Sequence, residues 1–146
     1  MKEPVILLAD DDDGHAGLIS SNLKYAGISN DIVFFENGEK TLDFLFKRGV
    51  GPYREDDVPY ILLLDIRLPD IDGVEVLRQL KGDKWVNNIP VIMLSVIDDV
   101  QQIEQCKELG CEDYYVKFSE DKQFSQTIGD LGKFIKSVVI PKYGSA

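Results

Sequence analysis

The sequence predicts an α/β domain built on an open parallel sheet of five strands, with helices on both faces of the sheet. Short apolar runs of strand length alternate with segments of helical periodicity, and this pair occurs five times along the chain. Three of the apolar runs are almost uninterrupted, as expected of parallel strands that are covered on both faces. The length of 146 residues gives room for one compact domain with a real core.

Each predicted strand is bounded by polar residues, glycine or proline, which commonly end extended segments. The predicted strands run from Val5 to Ala9, Ile32 to Phe35, Tyr60 to Leu64, Val91 to Leu94 and Tyr114 to Val116.

Each predicted helix carries its apolar residues on one face, and a glycine or proline marks one of its ends. The apolar sets are Ala16, Ile19, Leu23 and Ala26 before Gly27; Leu42, Leu45 and Phe46 before Gly49; Val76, Leu77 and Leu80 after Gly73; Val100, Ile103 and Cys106 before Gly110; and Phe124, Ile128, Leu131, Ile135 and Val138 before Pro141. Gly129 and Gly132 lie inside the last helix, where each should cost about 1 kcal/mol relative to alanine.

The chain is acidic, with 26 Asp and Glu residues against 16 Lys and Arg residues and a formal charge of -10. This balance argues against general binding to nucleic acid, which requires a basic patch, and is compatible with a metal cation or a basic partner surface. The sequence shows no signal-peptide pattern and no apolar run near the roughly 20 residues that span a bilayer. We therefore expect a cytoplasmic protein that binds neither nucleic acid nor membranes.

Chemically active side chains follow four of the five predicted strands. An acidic run, Asp10 to Asp13, follows the first strand, and Asp65, Ser95 and Lys117 follow the third, fourth and fifth strands. In open parallel sheets, ligands bind beyond the carboxyl ends of the strands, so these side chains should meet at one edge.

This set of residue types suits phosphoryl transfer. Carboxylate oxygens are hard ligands that suit Mg²⁺, and a divalent cation relieves the repulsion between clustered carboxylates. A carboxylate can also attack phosphorus, while a metal and a lysine neutralise charge on the moving oxygens. Ser95 could donate a hydrogen bond to a phosphoryl oxygen.

Each residue also has an ordinary structural explanation. Asp12 or Asp13 could cap a helix, Asp65 could form a turn, and Lys117 could be a surface lysine. Ser95 could likewise cap the helix that follows it. The joint placement at four strand ends favours the functional interpretation over four separate coincidences.

Four segments of the sequence are similar to the receiver domains of two-component response regulators. The most specific is residues 62–75, with Asp65, a proline four residues later, and the Asp-Gly pair that opens the third helix. The others are residues 5–12, 90–95 and 113–117, and the resemblance covers nearly the whole chain. It implies the flavodoxin-like receiver fold, with strand order 2-1-3-4-5.

The resemblance implies a role for each residue of the acidic site. Asp65 is the phospho-acceptor, and Asp11 and Asp65 bind Mg²⁺ together with the backbone carbonyl of Arg67. Asp10 holds the metal shell through water.

The resemblance also implies how the phosphoryl group is bound and sensed. Ser95 and Lys117 bind the phosphoryl group. Tyr114 is the aromatic switch residue that turns inward when Ser95 moves. The surface formed by the fourth helix, fifth strand and fifth helix then changes its partner binding.

The resemblance further implies that the protein works in a phosphorelay. We expect a single receiver domain over residues 1–146 without an output domain, similar to the stand-alone receivers that partner bacterial phytochrome kinases. Its partners would be a sensor histidine kinase and a downstream protein target. It would not be an enzyme beyond self-phosphorylation and slow autodephosphorylation. A homodimer is expected from family habit and from four apolar residues near the C-terminus, Phe134, Val138, Val139 and Ile140.

Two positions depart from the family pattern. Phe118 follows Lys117, where the family usually has a proline and often a cis bond. A cis bond before a non-proline residue costs about 2.5–4 kcal/mol, so we expect a trans bond. Val96 follows Ser95, where Ala or Gly is usual, and its branched side chain should slow entry of the phosphoryl donor or of water.

Two other functions remain open. Asp10 and Asp12 form an Asp-x-Asp after the first strand, as in phosphatases of the haloacid dehalogenase type, in which the first Asp is the nucleophile. Those enzymes usually carry a cap domain and a second acidic cluster, and the sequence shows neither. The second alternative is a binding module that has lost phosphorylation, which Val96 and Phe118 would favour.

Overall fold

The computed structural model describes residues 3–117 and 121–143. Within these residues, strands and helices alternate as predicted. The strands are β1 (Val5–Ala9), β2 (Ile32–Phe35), β3 (Tyr60–Leu64), β4 (Val91–Ser95) and β5 (Asp113–Val116). The helices are α1 (Asp13–Tyr25), α2 (Gly38–Phe46), α3 (Gly73–Lys81), α4 (Val100–Leu109), α5 (Asp121–Phe134) and α6 (Ile140–Tyr143), with a π-helical segment, Ile135–Val139, between the last two.

The five described strands form one sheet in the order β2-β1-β3-β4-β5, and all neighbouring strands are parallel. The fold class and the strand order are therefore confirmed. The register places Ala9 opposite Leu64 and Ser95 opposite Val116, so that the carboxyl ends of these strands are level.

Successive side chains of each strand point to opposite faces of the sheet, and each face has its own core. Leu7 and Ala9 face a core that includes α2, α3 and the buried Cys106 of α4. Ile6 and Leu8 face a second core built by α1, α5 and the π-helical segment. Complete burial of a leucine or isoleucine side chain contributes about 1.5–3 kcal/mol. The two cores together fix the sheet edge that carries the polar residues.

Polar side chains at the helix starts explain where the helices begin. Asp12, Asn37, Asp72 and Asp99 accept hydrogen bonds from backbone N–H groups in the first turns of α1, α2, α3 and α4. Asp12 therefore has the capping role that its position allowed.

The predicted end of the last helix is wrong. We expected a helix that stops before Pro141, with Val138 on its apolar face. Instead the chain stays helical through Pro141, because the wider π-helical turn joins α5 to α6, with the Ile140 N–H donating to the Ile135 carbonyl. Val139 is therefore buried, while Val138 is 44% exposed. Pro141 has no N–H to donate, and it stands directly after the wider π-helical turn.

The same finding changes the basis of the expected homodimer. Phe134, Val139 and Ile140 pack against the core on the α1 and α5 face. Of the four apolar residues that suggested a dimer, Val138 alone is largely exposed. The apolar character of this segment is thus used mainly inside the protomer.

The two glycines inside α5 have different surroundings, and only one of them is required by packing. A Cβ atom at Gly132 would lie 2.7 Å from the Cβ of Ala26, so Gly132 allows α5 to approach the end of α1. A Cβ atom at Gly129 would meet nothing within 4 Å.

In the described part of the chain, no helix is long and apolar enough to cross a membrane.

Candidate functional site

The carboxyl ends of four strands bring the predicted site residues together. The Asp65 N–H donates to the Ala9 carbonyl at 3.0 Å, which extends the pairing of β1 and β3 by one residue. The Lys117 N–H donates to the Ser95 carbonyl at 2.7 Å and does the same for β4 and β5. The backbone therefore fixes both residues at the same edge of the sheet.

Lys117 joins two acidic residues at the centre of this edge. Its Nζ lies 2.7 Å from Oδ2 of Asp10 and 3.1 Å from Oδ2 of Asp65. All three residues are buried, with exposed fractions of 4% for Lys117, 1% for Asp10 and 8% for Asp65. Buried charges persist only when they are paired and hydrogen-bonded. Lys117 is therefore a buried, ion-paired residue of the site and not a surface lysine.

Three carboxylates at this edge form a group that fits a divalent cation. Asp10, Asp11 and Asp65 each offer one carboxylate oxygen, and these oxygens lie within 4.8 Å of one another. Asp11 is exposed, so the cluster is open to solvent on that side. Hard oxygen donors with one open side suit Mg²⁺ or Mn²⁺, which retain several waters.

The backbone around the cluster holds the two buried carboxylates. Oδ1 of Asp10 accepts from the Asp12 N–H at 3.0 Å, and Oδ1 of Asp65 accepts from the Arg67 N–H at 3.3 Å. The backbone N–H of Arg67 thus contacts the acidic cluster directly. The role of its carbonyl as a metal ligand stays a prediction.

The surroundings of Asp65 favour its neutral form relative to an exposed aspartate. Burial raises the pKa of Asp65 above its ordinary value, and the nearby Asp10 carboxylate acts in the same direction. The Lys117 ammonium opposes this effect and lowers the pKa, but it does not fully compensate. The ionised carboxylate of Asp65 is therefore less stable here than in water, and a cation bound beside it would stabilise it.

Ser95 and Tyr114 meet at the start of the β4–α4 loop. Ser95 is fully buried, and its Oγ accepts from the Ile97 N–H at 3.2 Å. The Tyr114 hydroxyl donates to the Ile97 carbonyl at 2.6 Å, and burial raises the pKa of Tyr114 to about 12. The two residues thus contact the same loop residue. Val96, between Ser95 and this residue, is 47% exposed, and its effect on access stays a prediction.

The β3–α3 loop returns tightly beneath Asp65. The Gly73 N–H donates to the Ile66 carbonyl at 2.8 Å. A Cβ atom at position 73 would lie 2.1 Å from the Asp65 carbonyl oxygen, so only glycine allows this return. Gly73 was expected to open a helix, and the structure adds that it leaves room for Asp65.

Asp70 was assigned no role from the sequence, although its carboxylate accepts hydrogen bonds from three backbone N–H groups. It accepts from Gly38, Glu39 and Ile71 at 2.9, 2.9 and 2.7 Å. An aspartate directly after a proline is typical of a turn, but the partners of Asp70 in α2 are 32 and 31 residues away in the chain.

Phe118 lies outside the described residues, so the expected trans peptide bond before it stays a prediction.

The fold and the acidic edge agree with one family of proteins. The response regulator receiver domain family matches residues 6–129, and the chain belongs to this family. It is a family of two-component signalling proteins. The expectation of one domain over residues 1–146 without an output domain stays a prediction.

Individual relatives place the chain near small receivers. The chain is 28% identical to response regulator Rcp1 of Synechocystis sp. over 138 residues, which cover 94% of this chain and 92% of Rcp1. The structure of manganese-bound Rcp1 superposes with a TM-score of 0.81, at 25% identity, over 94% of this chain and 96% of that chain.

Two further similar structures are those of phytochrome response regulators. The phosphorylated cyanobacterial phytochrome response regulator RcpA is 27% identical, with a TM-score of 0.81 over 93% of this chain and 96% of that chain. The bacteriophytochrome response regulator RtBRR is 36% identical, with a TM-score of 0.73 over 90% of this chain and 79% of that chain. The predicted resemblance to stand-alone receivers is therefore confirmed.

Proposed function

We propose that Asp65 accepts a phosphoryl group from the phosphohistidine of a sensor histidine kinase. The observation that carries this proposal is the buried bridge from Lys117 to Asp10 and Asp65, at the edge where Asp11 completes the acidic cluster. Family membership makes a kinase the natural donor.

The transfer is a single displacement at phosphorus. One carboxylate oxygen of Asp65 forms a bond to phosphorus, and the bond from phosphorus to the imidazole nitrogen of the donor breaks. The imidazole keeps the electron pair of that bond, and Asp65 becomes an acyl phosphate. Later hydrolysis returns the carboxylate and releases inorganic phosphate.

Lys117 and Ser95 neutralise and orient the transferred group. The Lys117 ammonium already contacts Asp65, so it is in place to neutralise charge on the phosphoryl oxygens without a large movement. The Ser95 Oγ accepts from the Ile97 N–H, and its own O–H donates a hydrogen bond to one of the phosphoryl oxygens once Ser95 moves towards them.

The acidic cluster would bind Mg²⁺ through Asp11, Asp65 and the Arg67 carbonyl, with Asp10 acting through water. The bound ion supplies positive charge close to the phosphoryl oxygens, as metal ions do in phosphoryl transfer generally. The manganese-bound structure of Rcp1 supports a divalent cation for this fold. Mg²⁺ in particular is our proposal.

Phosphorylation would change the position of Ser95, and Ile97 would transmit this change to Tyr114. Both side chains contact the backbone of Ile97, so a movement of Ser95 towards the phosphoryl group disturbs the bond that Tyr114 makes. Loss of the hydrogen bond from Tyr114 to Ile97 then changes the surface formed by α4, β5 and α5, which binds the downstream target.

A phytochrome-like kinase is the proposed partner, because the similar proteins RcpA and RtBRR are phytochrome response regulators. A homodimer through the α4–β5–α5 face is also proposed, on family habit alone. Beyond its own phosphorylation and slow autodephosphorylation, the protein would turn over no separate substrate.

Intact-mass analysis tests the acceptor role. The protein is incubated with acetyl phosphate in the presence of Mg²⁺ or EDTA, and steady-state release of phosphate from a phosphomonoester is measured in parallel. We expect one phosphoryl adduct that requires the metal and is lost in Asp65→Asn. Steady turnover that is abolished in Asp10→Asn but persists in Asp65→Asn would instead support a phosphatase. No adduct with any donor would support a binding module.

A further inference from the structure

The N-terminus of α2 depends on a carboxylate from a distant loop. The first turn of a helix has N–H groups without partners inside the helix. In α2, the Lys40 N–H donates to the Asn37 side chain at 2.8 Å. The N–H groups of Gly38 and Glu39 instead donate to the two oxygens of Asp70. Asp70 thus caps a helix to which it does not belong.

The same carboxylate holds its own loop. Oδ1 of Asp70 also accepts from the Ile71 N–H at 2.7 Å. Asp70 lies at the surface. Desolvation acts to raise the pKa of Asp70, but its backbone donors together outweigh this effect and hold the pKa below the ordinary value. The carboxylate therefore stays ionised and bound at neutral pH.

A second observation shows that α2 and the β3–α3 loop are fitted together. A Cβ atom at Gly38 would lie 2.7 Å from the Ile71 carbonyl oxygen and 3.0 Å from the Ile71 Cβ. The backbone of α2 therefore lies directly against the loop, beside the bonds that Asp70 makes.

The fastened loop is the one that leads from the acceptor residue. Asp65 is held to β1 at one end, and Ile66 accepts from the N–H groups of Leu68 and Gly73 at 3.0 and 2.8 Å. Asp70 holds the outer tip. Arg67, whose carbonyl is a proposed metal ligand, lies between these two anchors. Its position thus depends on both.

We propose that Asp70 is a positioning residue for the divalent cation site, because it ties the β3–α3 loop to the N-terminus of α2. This inference rests on the proposed function of the acidic cluster. By thermodynamic linkage, the cation must in turn stabilise the first turn of α2.

The chain offers a matched control at Asn37. Asp70→Ala and Asn37→Ala each remove a cap from α2, but only Asp70→Ala releases the loop. Asp70→Asn keeps one oxygen for Gly38 and Ile71 but turns an amide N–H₂ towards the Glu39 N–H, so it should rescue part of the function.

Mn²⁺ affinity is measured for the full chain by the EPR signal of the free ion, and Mg²⁺ affinity by competition. Loss of a group that orients metal ligands costs on the order of 10-fold in affinity, and we expect this for Asp70→Ala. Asp70→Asn should lie between it and the wild type, and Asn37→Ala should match the wild type. Acetyl phosphate labelling of Asp70→Ala should be slow at low Mg²⁺ and recover at high Mg²⁺.

Hydrogen exchange of the unsubstituted protein gives a readout that does not depend on a variant. Mg²⁺ should slow exchange at the amides of Gly38 and Glu39. An affinity of Asp70→Ala within twofold of the wild type, an equal loss in Asn37→Ala, or unchanged exchange in α2 would each overturn the role of Asp70. A wild type that binds neither cation would overturn the proposed function itself, and this inference with it.

Discussion

Replacement of Lys117 by methionine tests whether the buried bridge controls the electrostatics of the site. Methionine preserves most of the volume and the apolar stem but removes the ammonium that contacts Asp10 and Asp65 at 2.7 and 3.1 Å. Two buried carboxylates would then face each other without a counter-charge.

The expected loss of stability follows from burial. Breaking a buried ion pair by removal of one partner costs about 3–5 kcal/mol when the remaining charge stays buried. Proton uptake relieves part of this loss. Burial already raises the pKa of Asp65, and Lys117 opposes that effect, so Lys117→Met should raise this pKa further. A group whose folded pKa lies above its unfolded value, about 3.9 for aspartate, destabilises the fold when ionised. The loss should therefore be complete above the folded pKa and fade as the pH falls towards the unfolded value.

Urea unfolding of the wild type and Lys117→Met at pH 7 and pH 5 measures this loss. The difference between the two proteins at each pH removes the contribution of groups that titrate equally in both. We expect a loss of about 3–5 kcal/mol at pH 7 and a smaller loss at pH 5. Adding Asp65→Asn to Lys117→Met should restore part of the stability. A loss below about 1 kcal/mol, the value of a surface ion pair, or a loss independent of pH would refute the reasoning.

The remaining predictions concern single contacts. Gly129→Ala should raise the free energy of unfolding by up to about 1 kcal/mol, whereas Gly132→Ala should lower it; equal effects in urea unfolding would show that helix propensity alone decides. Tyr114→Phe removes the bond to the Ile97 carbonyl and should cost about 0.5–1.5 kcal/mol, and an unchanged unfolding midpoint would deny that bond. Millimolar Mg²⁺ should raise the melting temperature of the wild type but not of Asp11→Asn, since a ligand that binds the folded state stabilises it; equal rises would place the cation elsewhere.

Much of the fold is readable from the sequence because three of its strands, β1, β3 and β4, are buried on both faces. The apolar runs at Val5–Ala9 and Tyr60–Leu64 show where the central strands lie. The positions of Asp65 and Lys117 just after strands then place them at one edge. The strand order, in contrast, followed from the family resemblance, because periodicity does not show which strands pair.

The missed features depend on contacts between distant residues. Helical periodicity did not reveal that Val139, rather than Val138, is buried, since both spacings from Ile135 fit one face of a helix. The need for glycine at position 132 arises from Ala26, which is more than a hundred residues earlier in the chain. The role of Asp70 similarly depends on the start of α2.

The central claim is that Asp65 is the residue that carries the phosphoryl group. Borohydride reduces an aspartyl phosphate to homoserine, and peptide mass spectrometry then locates the converted residue. After incubation with acetyl phosphate and Mg²⁺, we predict conversion at position 65 alone, and none in Asp65→Asn. Conversion at Asp10 or Asp11 in the wild type, or a phosphorylated wild type in which position 65 stays aspartate, would contradict the account.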